Sequence, residues 1–475
     1  MAARHMFAGR FLPPRAELRA MLHLALPVVV IQVGIMAMGV VDTIMAGHLS
    51  MLALASVALG NLYFFGLAVF GMGTLMVLDP VVAQAVGAGD EPAVARGVQR
   101  GVVLAAVLSV PAAILLVLAE PFLTLAGQPH DVIPLASAYA ARMAPGIFPF
   151  FLFIVLRQSL QSMRRTRPII IAIVVANLAN AALNWVLIFG NLGAPALGVV
   201  GSAWATTISR WLLASVLFAL TWKQLAVYLR PFHPEVWQLA PLGRMLRLGV
   251  PIGLQFVLEF GAFAFVALMM GWLGTREMAG HQVAINLASL TFMVPLGVSD
   301  AASVLVGQAV GRGDPAGARG SAGAALLYGA GFMTLTAVLF LTLPGPLARL
   351  YSRELDVVEL AVILIPIAGV FQVFDGLQAV GGGILRGLGQ TRVPMVVNLL
   401  GYWALGLPVS YYLGFVAGRG PVGLWWGLVL GLGVVATVLL FRVRAGLARQ
   451  QSRVLIDLPA PPPARASPAL PAVRK

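Results

Sequence analysis

The chain contains no cysteine, which excludes disulfides, thiolate metal sites and cysteine nucleophiles. Charge is scarce too: 10% of residues are charged, against about 25% in ordinary soluble domains. With 60% hydrophobic residues, a soluble protein could not cover its own surface with polar groups. The long apolar stretches therefore need lipid around them. No H-E-x-x-H, G-x-S-x-G or G-x-x-x-x-G-K-[ST] segment occurs, which disfavours a membrane enzyme and a nucleotide-driven pump. The net charge of +14 could suit nucleic acid, but the arginines fall in short clusters between apolar runs. No single basic face results, so no nucleic-acid partner is expected.

What is present is a series of runs near 20 residues, the length that crosses a bilayer. Six lie at about 22–47, 53–78, 98–119, 132–160, 168–189 and 197–222, and six more at 246–271, 278–305, 321–343, 357–385, 393–415 and 421–441. The first run is too long for a signal-peptide core and is expected to remain as a membrane helix. The expected organisation is an N-terminal segment (1–20), a first lobe (21–222), a linker (223–245), a second lobe (246–444) and a disordered Pro-rich tail (445–475). The fold class expected is all-α, with twelve transmembrane helices in two six-helix lobes.

Basic residues set the orientation. Counted over the termini and every second loop there are 24, whereas the opposite loops hold 4: Arg276, Arg349, Arg353 and Arg419. An even number of spans with both termini cytoplasmic is the arrangement that keeps this alternation, in the inner membrane of a bacterium.

The halves repeat. "QAVGAGD" at Gln84–Asp90 returns as "QAVGRGD" at Gln308–Asp314, a shift of 224. The same shift carries Pro27 onto Pro251, and Thr166-Arg167 reappears as Thr391-Arg392. Two halves of six spans insert the same way up, related by an axis along the membrane normal. That is the parallel-repeat plan of transporters, whose substrate site lies between the halves. Two similar lobes can rock about a central cleft, which alternating access requires.

Ionisable groups inside a membrane cost about 2.5–3.5 kcal/mol at a helix centre, so they are the first place to look for function. Three carboxylates stand in otherwise apolar runs: Asp42, Glu259 and Asp375. In span five, Asn177, Asn180 and Asn184 share one helix face. Asn180 and Asn184 are placed to meet Asp42, with Thr206 as a further member. Arg142, Arg157 and Arg210 are expected to be structural, through snorkelling or carbonyl contacts. Asp79 and Asp300 lie near span ends, where solvation is cheap, and carry little functional weight. Loss of hydration favours the neutral form of a carboxyl group. A proton, Na⁺ or a lipophilic organic cation would each neutralise such a site. If they cannot bind together, one can be exchanged for another. Tyr63, Phe64, Phe65, Met269, Met270, Phe292 and Met293 would suit cationic, greasy ligands, although such stripes are more often plain packing.

These residues resemble the multidrug and toxic compound extrusion (MATE) family, in its NorM-like branch, over roughly residues 15–445. The most specific segments are "DTIMAGHLS" (42–50), "AGHQVAINLASL" (279–290) and "FQVFDGLQAVGGGILRGLGQT" (371–391), with the two QAVGxGD copies. The resemblance implies export of organic cations in exchange for Na⁺ or H⁺, with no other cofactor. It maps Asp42 onto a functional first-helix aspartate and Asn180, Asn184 and Thr206 onto its polar neighbours. Glu259 and Asp375 map onto paired second-lobe carboxylates that would also be the site for Na⁺, and Gln282 onto a polar cleft residue. Asp79 stands where a small or hydroxyl residue is expected. The partners implied are small organic cations and membrane lipids, with one chain acting as a monomer. A flippase for lipid-linked sugars is the alternative; it would want a basic central cleft, whereas the mid-membrane charges here are acidic.

Overall fold

The structure is a computed structural model, and it describes residues 13–449 and 451–457. Twelve helices among them are long and apolar enough to cross a membrane. They are α1 (Arg15–Gly47), α2 (Met51–Ala88), α3 (Glu91–Val117), α4 (Ile133–Ser162), α5 (Arg167–Phe189) and α6 (Gly198–Leu229). The second six are α7 (Leu239–Leu273), α8 (Thr275–Gly311), α9 (Pro315–Thr342), α10 (Leu355–Gly387), α11 (Arg392–Val416) and α12 (Gly420–Ala448). Every apolar run read from the sequence is one of these helices. Most extend beyond the run into polar residues, because hydrogen bonding can continue where the hydrocarbon ends. The stretch between α6 and α7 is correspondingly short, with one helical turn at Pro234–Trp237.

The polarity of the molecule is that of a membrane protein. Large apolar side chains face outward along the spans, such as Leu178, Leu335 and Phe441, each about two-thirds exposed. Asp42, Arg157, Asn180 and Asp375 are buried instead. A surface of this kind is stable only in lipid.

The repeated QAVGxGD segment explains itself residue by residue. Gly89 and Gly313 end their helices with φ of 68° and 67°, a left-handed conformation that glycine adopts without strain. Asp90 and Asp314 then cap the next helix: Asp90 accepts from the Ala93 amide at 3.0 Å and Asp314 from the Gly317 amide at 2.8 Å. Gly87 and Gly311 have a different task. A Cβ on Gly87 would collide with the Gln308 carbonyl, and one on Gly311 with that of Gln84. The two copies thus cross each other, backbone against backbone, at the end of the molecule where α1 begins and α12 ends, called the terminal side below.

Other contacts between the lobes lie on this terminal side. The first turns of α1 pack into the second lobe, with Met21, Leu24 and Val28 in one core with α8, α9 and α10. Val29 meets Gly297, and Gly73 with Thr74 meets Gly249 and Gly253 of α7. After α12, residues 451–457 lie along the terminal face and reach the first lobe. Arg453 pairs with Asp90 at 2.9 Å, and Asp457 with Arg96 and Arg100 at 2.6 and 2.7 Å. The rest of the tail, from residue 458, lies outside the described residues, as do residues 1–12.

Two outcomes follow. Gly87→Val or Gly311→Val should lower stability by about 1–3 kcal/mol through overpacking against backbone, read as a lower melting temperature in detergent. Partial burial pushes the Asp457 carboxyl up, but hydrogen bonds from Arg100 and Arg96 outweigh it and hold the group below its ordinary 3.8. Its contribution to docking is therefore present at neutral pH and lost as pH falls through the lowered value. Asp457→Asn should release residues 451–457 at neutral pH, seen as faster proteolysis after α12.

Candidate functional site

Asp42 lies on α1 opposite the Asn180–Asn184 face of α5. Asn184 donates to one carboxylate oxygen at 2.7 Å, and Thr206 of α6 donates its hydroxyl to the other at 2.6 Å. Asn184 also donates to Asn180 at 3.2 Å, and Asn180 to Thr206 at 3.4 Å. The cluster read from the sequence is therefore assembled, with Thr206 bonded directly to the carboxylate. Asn177 stands apart, donating to the Gly34 and Ile173 carbonyls at 3.0 and 2.9 Å.

Beside this cluster is a cavity of about 50 Å³ lined by Asp42, Asn61, Phe65, Asn177, Thr206 and Arg210, among others. The Arg210 guanidinium sits 3.8 Å from the Phe64 ring centroid and 5.4 Å from that of Phe150. Its charge also acts on Asp42. Ring faces and a carboxylate together give this buried cation a favourable place. Sequence reasoning treated Arg210 as framework; in the fold it shares the Asp42 cavity.

The second lobe holds Glu259 on α7 and Asp375 on α10, close enough for their charges to repel. Gln378 donates to Glu259 at 3.1 Å, and Asn398 of α11 at 3.5 Å. Tyr402 in turn donates to Gln378 at 3.2 Å. Gln378, Asn398 and Tyr402 were missed in the sequence. Their signal was there: Gln378 lies one turn after Asp375, and Asn398 and Tyr402 are spaced i and i+4 on one span. Tyr402 falls inside a π-helical stretch, Leu399–Gly406, a distortion often found at functional sites. Asp375 is buried, and its Oδ1 has no hydrogen-bond partner; neither does the Asn398 Oδ1. Phe263, Phe371 and Tyr402 form an aromatic wall with centroids 5.8–6.0 Å apart.

Gln282 is exposed near the start of α8, with a long hydrogen bond to Asn286 at 3.5 Å and none to either carboxylate. Met269 and Met270 are fully buried in the second-lobe core, so they are packing residues. Among the described residues no three His, Cys, Asp or Glu side chains group as metal ligands.

Asp79 and Asp300 differ from expectation. They are 1% and 2% exposed, because the opposite lobe covers the span ends that the sequence suggested were solvated. Arg386 of α10 lies between them, 3.2 Å from Asp300 and 3.6 Å from Asp79. Gln32 donates to Asp300 at 3.0 Å and accepts from Arg157 at 3.3 Å.

The MatE family model matches residues 27–186 and 251–412, one copy in each half. The chain is 37% identical over 434 residues to a probable multidrug resistance protein NorM of Rhizobium meliloti, covering 89% of this chain and 92% of that one. It is 36% identical over 450 residues to the multidrug resistance protein PmpM of Pseudomonas aeruginosa, covering 93% and 94%. In fold it is similar to the eukaryotic MATE transporter AtDTX14, with a TM-score of 0.84 at 24% identity over 90% of this chain and 96% of that chain. A Vibrio cholerae MATE transporter, VcmN, gives 0.80 at 19% identity over 91% and 97%. With the repeat matched in both halves and twelve spans in two lobes, the chain belongs to the MATE family, in its NorM-like branch of multidrug efflux transporters.

Proposed function

We propose that this transporter exchanges an inorganic cation, H⁺ or Na⁺, for a lipophilic organic cation, and that Glu259 and Asp375 carry the exchange. The observation that carries this reading is the starved oxygen of Asp375. It is buried beside a second carboxylate, and no group among the described residues bonds to it. Buried polar atoms are nearly always bonded, so an exception points to a missing partner. A proton on the carboxylate or a bound Na⁺ would supply one. Hard cations take oxygen ligands, and Glu259, Asp375 and the Asn398 Oδ1 offer a small all-oxygen set. Phe263, half-buried and backed by the buried rings of Phe371 and Tyr402, is the aromatic face that suits the larger cationic passenger.

In this reading the protein binds either passenger at the carboxylate pair, but not both together. The two lobes rock about the cleft, exposing the pair to one side of the membrane and then the other. A one-for-one exchange of monovalent cations moves no net charge and is driven by the concentration gradient of the inorganic ion. Only for each net charge that enters does a potential near 100 mV add about 2.3 kcal/mol. Asp42, held by Thr206 and Asn184, has both oxygens bonded. It anchors the first-lobe half of the cleft and, with Arg210, sets its charge. Gln282, exposed and away from the carboxylate bonds, would act at most where the passenger enters or leaves. The chain works as a monomer in the inner membrane of a bacterium, with both termini cytoplasmic.

Glu259→Gln or Asp375→Asn should reduce efflux of an ethidium-like dye from vesicles to background, while the protein inserts and elutes normally. Normal efflux in both would remove the pair from the mechanism. Vesicles given first a Na⁺ gradient and then a pH gradient identify the driving ion: efflux responds to one and not the other. Thr206→Val removes the 2.6 Å bond to Asp42 together with the long 3.4 Å bond accepted from Asn180, and efflux should fall at least about tenfold, since a hydrogen bond to a charged group contributes about 1.5–3 kcal/mol.

A further inference from the structure

The repeated QAVGxGD segments do more than turn the chain. Gln84 of the first lobe donates its amide to the Gly387 carbonyl of the second at 2.8 Å. Gln308 of the second donates to the Ser162 carbonyl of the first at 2.7 Å. The two bonds are copies of one another, since Gln84 and Gln308 are 224 residues apart and Ser162 and Gly387 are 225 apart. Each repeat therefore reaches across the boundary and holds the end of the other lobe's fourth span. Between these bridges lies the buried chain Gln32–Asp300–Arg386–Asp79. It crosses the boundary twice, at Gln32–Asp300 and at Arg386–Asp79.

The structure assigns Gln84, Gln308, Asp79, Asp300 and Arg386 to a gate that shuts the terminal side of the cleft and must be undone at each turnover. Three features separate a gate from ordinary packing. Gln84–Gly387, Gln308–Ser162, Gln32–Asp300 and Arg386–Asp79 run between lobes, which the transport cycle must part, while Asp300–Arg386 joins them within the second lobe. They are also imperfect: the Asp79 Oδ2 and the Arg386 Nε have no hydrogen-bond partner while the gate is shut. Water entering between the lobes would satisfy both atoms, which offsets the loss of the pairings. Last, at the crossing of the two repeats the helices approach backbone to backbone through Gly87 and Gly311, so no side chains interlock at that point. Such an interface has two stable arrangements, dry and closed or wet and open, which is what a switching element needs.

The absence of cysteine gives a direct test. Ser303 is fully buried on α8, beside Asp79 across the boundary. Ser303→Cys introduces a single thiol with little change in size. With the gate intact, this thiol should react slowly with a membrane-impermeant maleimide applied from the terminal side. Adding Asp79→Asn with Asp300→Asn should raise the rate about tenfold, equivalent to about 1.4 kcal/mol in the closing equilibrium. Gln84→Ala with Gln308→Ala, a milder pair that keeps every charge, should raise it in the same direction. Asp79→Glu should leave labelling slow, because it retains the charge that faces Arg386. If both pairs label at the rate of the intact gate while eluting as folded protein, the assignment is overturned. Equal labelling of Asp79→Asn and Asp79→Glu would likewise remove the ion pair from the gate. Labelling needs no transport, so this result is separate from that of the cation exchange proposed above.

Discussion

Taking a carboxylate out of water is the constraint on which the rest of the structure depends. An ionised group moved into a low-dielectric interior loses several kcal/mol of hydration unless partners replace it. The buried aspartates here meet that cost in three ways. Asp42 is fully bonded, by a hydroxyl and an amide from two different helices. Asp300 has the guanidinium of Arg386 on one oxygen and the amide of Gln32 on the other, while Asp79 shares that guanidinium more distantly. Asp375 has no partner on one oxygen and a second carboxylate nearby. In the exchange and the gate proposed above, the first serves as a fixed anchor, the second as a pairing that water can break, and the third as the group that takes a visitor.

Most of the fold was legible in the sequence because lipid imposes a simple rule. A backbone in hydrocarbon must satisfy itself, so spans are continuous helices and the apolar runs report them directly. Helix ends were less legible, since α1, α7 and α12 continue through residues such as Arg15, Arg244 and Arg444 that hydropathy assigns to loops. The Asp42 cluster could be read because Asn180 and Asn184 lie on one helix face. The second-lobe cluster could be read only in part. Gln378, Asn398 and Tyr402 are ordinary polar residues in spans until helix packing aims them at Glu259.

The misjudged aspartates show where sequence reasoning loses its footing. Position along a span gives depth, and depth near a membrane surface suggests water. What covers that surface is a tertiary fact. Asp79 and Asp300 sit at shallow depth, yet the opposite lobe seals them. The only sequence trace of this was a departure, an aspartate at position 79 where a small residue was expected. A charge in an unexpected place carries more information than its depth alone.

The two lobes share a backbone plan but not a chemistry, and the pattern of agreement is informative. On the terminal side the repeat is kept to the level of single hydrogen bonds, in Gln84 and Gln308, Gly87 and Gly311, Asp90 and Asp314. Deeper in the membrane it fails. With the shifts of 224 and 225, Glu259 corresponds to Ile35, Asp375 to Phe150, Asn398 to Ile173 and Tyr402 to Asn177. All four counterparts line the Asp42 cavity. The first-lobe cavity is thus the second-lobe carboxylate site with its acidic groups replaced by apolar ones. Asp42, whose own counterpart is Val266, supplies a single charge from another direction. Symmetry is retained where two halves must close on each other like matching surfaces, since there each half does the same work. It is lost where the exchange proposed above would bind its passengers. For the exchange proposed above, a carboxylate pair in one lobe and a largely apolar cavity edged by Asp42 and Arg210 in the other offer different chemistry to the two ends of an amphipathic cation, which two identical halves could not.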